Sequence, residues 1–80
     1  MLQVLLFAQA RQLAGSPRLE VPWSDGQTVL QLKEALAKLH PNLQLLIPRL
    51  MVAVNNDYAE DGTRISCTDE VACFPPVSGG

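Results

Sequence analysis

The stretch TVLQLKEALAKLHP, Thr28 to Pro41, carries the start and the stop of a helix within fourteen letters. Thr28 and Gln31 match a capping box, in which a threonine hydroxyl accepts from the amide three residues on and the glutamine side chain reaches back. Val29, Leu32, Leu36 and Leu39 recur at helical spacing with Ala35 beside them, while Gln31, Lys33, Glu34 and Lys38 take the opposite face. His40-Pro41 ends the run, because a proline disfavours helical geometry in the residue before it. This is one amphipathic helix with an apolar stripe that needs a sheet to cover it.

Outward from that helix, both flanks read as strands. Leu2 to Ala8 is rich in branched and aromatic residues; Leu2, Val4, Leu6 and Ala8 share one face, and Phe7 falls on the other. A short turn over Ala10 to Ala14 and Gly15-Ser16-Pro17 leads to the alternating Arg18-Leu19-Glu20-Val21, a second strand returning beside the first, before Pro22 stops it. After the helix, Pro41 to Ile47 suggests another short helical turn closed by Pro48. Leu50 to Asn55 reads as a third strand, Tyr58-Ala59 as a short fourth, Ser66 to Asp69 as a polar loop, and Glu70 to Phe74 as the last strand, ended by Pro75. A hairpin, a crossing helix and a return to one sheet define an α+β layer. The ubiquitin-like β-grasp fits this order: a mixed sheet of four to five strands, one main helix on one face and a flexible C-terminal tail. The expected boundaries are a domain over 1–76 and an extended tail over 77–80.

Eighty residues form one domain, and a chain of that length buries only about 60 to 65% of its extended surface. Little room remains for an active-site cavity beside the core. With 48% hydrophobic residues, 18% charged residues and a net charge of -2, the composition is that of a globular protein. Six scattered Lys and Arg residues and a pI of about 5.1 leave no basic stripe for phosphates, so no nucleic-acid partner is expected. No apolar run approaches the roughly 18 residues a membrane span needs. Met1-Leu2-Gln3-Val4 passes directly into strand pattern without a charged leader, so the expected compartment is the cytoplasm.

Side-chain chemistry is sparse. Cys67 and Cys73 are separated by five residues, which fits neither a redox CxxC pair nor a zinc knuckle, and His40 supplies only one further soft ligand. No metal site is expected, and Cys73 reads as a small hydrophobe. His40 has no serine or cysteine at motif spacing, and the adjacent carboxylates of Asp69 and Glu70 point to opposite faces of a strand. Gly26, Gly62, Gly79 and Gly80 assemble no phosphate loop. Trp23 reads as a cover over one edge of the core.

One feature is left without a structural purpose. Pro75 and Pro76 favour a stiff extended spacer, and Val77, Ser78, Gly79 and Gly80 extend it by up to about 14 Å at 3.3 to 3.6 Å per residue. Two glycines without Cβ atoms suit a narrow channel, with the Gly80 carboxylate as the group presented. Ordering such a tail costs roughly 1 to 2 kcal/mol per residue, which a docking surface on the folded body must offset. Phe7, Tyr58 and Phe74 are the candidates for that surface if they gather on the exposed sheet; the competing reading puts Phe7 and Phe74 in the core.

The ending DEVACFPPVSGG (69–80), the opening VLLFAQARQLAG (4–15) and the central MVAVNND (51–57) together resemble the small, sulfur-carrying subunits of molybdopterin synthase, over essentially the whole chain. That resemblance implies a β-grasp protein whose Gly80 carboxylate is adenylated with ATP by a separate ubiquitin-activating-like adenylyltransferase. A sulfurtransferase donor then yields a thiocarboxylate. The tail, Val77 to Gly80, enters the large synthase subunit, where sulfur passes to cyclic pyranopterin monophosphate. The catalytic groups are on the partners, and the isolated chain binds no cofactor. Positions matching Phe7, Tyr58 and Phe74 form the partner surface in the family, and Cys73 stands where an aromatic is more usual. Related readings are a carrier for another pathway, such as thiamine thiazole formation, and a ubiquitin-like protein modifier.

Overall fold

The computed structural model describes residues 1–75. The tail expected over 77–80, with Val77, Ser78, Gly79 and Gly80, lies outside the described residues, as does Pro76.

The capping box at Thr28 is formed as the sequence requires: Gln31 N–H donates to Thr28 Oγ1 at 3.3 Å, and Thr28 N–H donates to Gln31 Oε1 at 2.8 Å. Helix α2 (Val29–Leu39), the second after the short α1 (Ala8–Ala14), follows, and its Val29, Leu32 and Leu36 are buried. His40 N–H bonds Leu36 O at 2.8 Å, and Pro41–Leu43 continues as a 3-10 turn, with a second over Ile47–Arg49. Leu39 departs from the expected stripe and is 48% exposed. Leu43, in the turn packed against that end of the helix, is buried instead.

Strands β1 (Leu2–Leu6), β2 (Arg18–Val21), β4 (Met51–Val54), β5 (Asp57–Tyr58) and β7 (Val71–Phe74) form one mixed sheet in the order β2-β1-β7-β4-β5. The central pair, β1 and β7, is parallel, and every other pair in this sheet is antiparallel. Leu2, Val4 and Leu6 point into the core with Val21, Val52, Val71 and Cys73, against Val29, Leu32 and Leu36 of α2. The alternation read from the sequence therefore selects the correct inner face over Leu2 to Leu6; Ala8, expected on that face, is exposed and lies beyond the strand. The result is the expected β-grasp: five strands covered on one face by the main helix.

Three details depart from expectation. The first strand stops at Leu6, and the segment read as a turn is a helix, α1 (Ala8–Ala14), with Ala10 buried. Ala8 itself has φ +52°, a left-handed conformation that costs a non-glycine residue of order 1 kcal/mol or more. That residue turns the chain sharply out of β1. The third departure is a two-stranded ribbon, β3 (Gln27–Thr28) with β6 (Arg64–Ile65), beside the start of α2. Trp23 covers the core edge there, as expected, and its indole N–H donates to Ile65 O at 2.9 Å.

Among the described residues, no helix is long and apolar enough to cross a membrane.

Candidate functional site

Among the described residues, no helix covers the sheet face turned away from α2, and its cross-strand register lines up one row of residues. Leu5 pairs with Ala72, Ala72 with Ala53, and Ala53 with Tyr58. The two alanines are the smallest side chains that still occupy a strand position, so the middle of the row is low. Larger residues stand around it: Leu5 and Phe7 on one side, Tyr58 and Phe74 on the other, with Asn56 and Glu70 at the rim. The sheet thus forms a shallow apolar groove in place of a flat surface.

Each aromatic reaches the groove by a separate local device. Phe7 lies one residue beyond β1 and is held there by its N–H bond to Cys73 O, 3.1 Å, before Ala8 redirects the chain. It is 49% exposed, so the competing reading of Phe7 as a core residue does not hold. Tyr58 sits on the edge strand β5 after the two-residue turn Asn55-Asn56, whose positive φ values of 52° and 71° give the tight hairpin twist. Phe74 is the last residue of β7, half-buried, and its ring meets that of Tyr58 edge-on at 5.8 Å between centroids and 61° between planes. Such T-shaped pairs are favoured because a positive ring edge meets a negative ring face. Phe7, Tyr58 and Phe74, the three residues singled out from the sequence, therefore line one depression, and the chain leaves β7 directly beside it through Pro75.

The remaining chemical candidates have structural places. Cys73 is fully buried beneath the sheet, and burial pushes its thiol up to about 12, which keeps it protonated and inert near neutral pH. Cys67 is also a free thiol; the neighbouring Asp25 carboxylate, then partial burial, hold it above the ordinary thiol value. Conversely the Cys67 backbone N–H, 2.8 Å from Asp25 Oδ1, holds the Asp25 carboxyl below the usual carboxylate value. Asp69 is lowered mainly by the Ser66 backbone N–H, 2.8 Å from its Oδ2, and then by the Asn55 amide at 3.1 Å. His40 caps the C-terminus of α2. Among the described residues, no cluster of His, Cys, Asp and Glu could hold a metal ion.

The sequence missed the floor of the groove. Ala53 and Ala72 read there only as ordinary strand residues, since their meaning depends on register between strands distant in sequence.

Comparison with known proteins agrees with this architecture. The model of the ThiS family matches residues 4–80, through Gly80. The molybdopterin synthase sulfur carrier subunit of Escherichia coli (strain K12) is 38% identical over 82 residues, with both chains covered completely. Its namesake in Arabidopsis thaliana is 35% identical, over 99% of this chain and 82% of the relative. The crystal structure of SAMP1, small archaeal modifier protein 1, from Haloferax volcanii superposes with a TM-score of 0.83 at 32% identity, covering 99% of this chain and 98% of that one. A match that runs from β1 to the last residue, on a fold and length shared with these relatives, shows that the chain belongs to the ThiS family.

Proposed function

We propose that this protein is the sulfur carrier subunit of a molybdopterin synthase, and that the atom that carries the sulfur is on the C-terminal carboxyl of Gly80. The observation that carries this reading is the position of the apolar groove beside the end of β7, where the chain continues toward Gly80. A tail needs a nearby anchoring surface to compensate its ordering entropy, and the groove supplies one of the right character, an aromatic-walled apolar depression. Full-length similarity to curated sulfur carrier subunits supports the same conclusion.

The chemistry follows from what a carboxylate lacks. It is a poor acyl donor to a sulfur nucleophile, because an oxide is a poor leaving group; transfer of AMP from ATP to the Gly80 carboxylate, with release of pyrophosphate, creates a good one. A ubiquitin-activating-like adenylyltransferase performs that step, and a sulfurtransferase delivers sulfur at the sulfide level: the hydrosulfide attacks the acyl carbon, the C–O bond to AMP breaks, a proton is released, and the thiocarboxylate remains. The tail, Val77 to Gly80, then enters the large synthase subunit and delivers sulfur to cyclic pyranopterin monophosphate. Phe7, Tyr58 and Phe74 dock the folded body on each partner in turn. The buried, protonated Cys73 takes no part. These steps belong to the cytoplasm, where ATP is available.

The similarity to a small archaeal modifier protein favours one second reading, attachment of Gly80 to protein lysines. Incubation with the activating enzyme, ATP, a sulfur donor, the large subunit and cyclic pyranopterin monophosphate separates the two. Conversion of the pyranopterin supports the carrier; isopeptide-linked adducts without conversion support the modifier.

A further inference from the structure

The Tyr58 wall of the groove stands on weak foundations. Strand β5 is two residues long and, among the described residues, lies at the sheet edge and pairs only with Ala53 and Val54. Short edge strands open readily, so a separate restraint is needed if Tyr58 is to keep its contact with Phe74. Asn55, the first turn residue, provides it. Its backbone N–H donates to Glu70 O at 2.7 Å, its side-chain Oδ1 accepts from Glu70 N–H at 2.9 Å, and its Nδ2 donates to Asp69 Oδ1 at 3.1 Å. Asp69 is fixed in turn by the Ser66 N–H on its other oxygen, 2.8 Å. Asparagine suits this place twice over: it tolerates the φ of +52°, and its amide offers a donor and an acceptor side by side. The turn that carries Tyr58 is thereby bolted to the start of the strand that carries Ala72 and Phe74.

We infer that Asn55 and Asp69 are positioning residues for docking: their clamp between the β4–β5 turn and the start of β7 presets Tyr58 against Phe74, so that partners meet a formed groove. This deepens the proposed function and rests on the groove being the docking surface. A wall that must be ordered at the moment of binding weakens the complex, by an expected factor of about three to ten for one aromatic side chain.

Asn55→Gly keeps the positive φ and removes the side-chain amide, at the cost of added backbone freedom in the turn; Asp69→Asn, which cannot accept from Ser66 and Asn55 together in the same way, is the second variant and leaves the turn backbone as it is. In the free full-length chain, the clamp predicts that either change moves the Tyr58 and Phe74 ring-proton NMR shifts, which report the edge-on contact, away from their wild-type values, with the amide shifts of α2 unchanged. In binding to the large synthase subunit, Asn55→Gly should weaken the wild-type chain about three- to tenfold and have no further effect in a Tyr58→Ala background. Unmoved ring shifts, or losses that simply add in the double variant, overturn the inference. If Tyr58→Ala alone leaves binding intact, the docking reading fails, and the ring shifts still decide whether the clamp positions Tyr58.

Discussion

Replacing Tyr58 by alanine separates docking from folding. Tyr58 is 72% exposed, and its only aromatic partner among the described residues is Phe74 at 5.8 Å. Truncation therefore removes a modest amount from the folded state: the edge-on ring pair is worth about 0.5 to 1.5 kcal/mol, or about 2 to 12 °C of melting temperature for a domain of this size. Docking has more to lose. A tyrosine offers about 200 Å² to an interface, and burying the exposed 72% at about 25 cal/mol per Å² sets a ceiling near 3.5 kcal/mol. Central aromatic truncations cost about 2 kcal/mol or more, so Kd for the large subunit should rise roughly 30-fold or more. Calorimetric titration against that subunit, with a parallel thermal melt, reads both effects. Leu45→Ala is the control, because Leu45 is 93% exposed and does not line the groove. A binding loss no larger for Tyr58 than for Leu45, or a melt that falls as far as binding does, would refute the assignment of the groove.

Other expected outcomes concern the scaffold. Thr28→Ala removes the capping box of α2 and should lower unfolding free energy by about 1 kcal/mol in urea titration. Leu36→Ala should cost about 2 to 5 kcal/mol, whereas Leu39→Ala, at a half-exposed position three residues on, should cost far less. The pH dependence has two limbs. Asp25 and Asp69 are lowered from 3.8, so the stability they give is present above that value and lost as the pH falls through their folded values; Asp69→Asn should flatten this acid limb. Cys73 is raised from 9.0 to about 12, so its contribution is intact below pH 9 and declines toward pH 12, by about 1.4 kcal/mol per pH unit. Cys73→Val should remove that alkaline slope in stability measured by denaturant titration.

The features legible in the sequence were those set by local rules. Thr28 and Gln31 announced the helix start because a capping box involves residues three apart, and Leu2, Val4 and Leu6 announced the core face because strand side chains alternate. Helix α1 was not legible: it has seven residues, lacks a side-chain cap and begins at a left-handed Ala8, so it depends on burial of Ala10 and not on propensity. The β3–β6 ribbon was hidden because two-residue strands have no period to detect; it is held by distant bonds such as Gly26 N–H to Ile65 O and Val29 N–H to Thr63 O. In the candidate site, the aromatic walls could be chosen from exposed strand positions. The alanine floor and the Asn55 clamp could not, since both depend on which residues the register brings opposite one another.

Whether sulfur resides on the C-terminus is answered most directly by intact-mass spectrometry of the full chain after incubation with its activating enzyme, ATP and a sulfur donor. The proposed function predicts a species heavier by the exchange of one carboxyl oxygen for sulfur, located by fragmentation to Gly80, and absent when a residue is added after Gly80. Failure of that species to form, or sulfur transfer that survives the added residue, would contradict it.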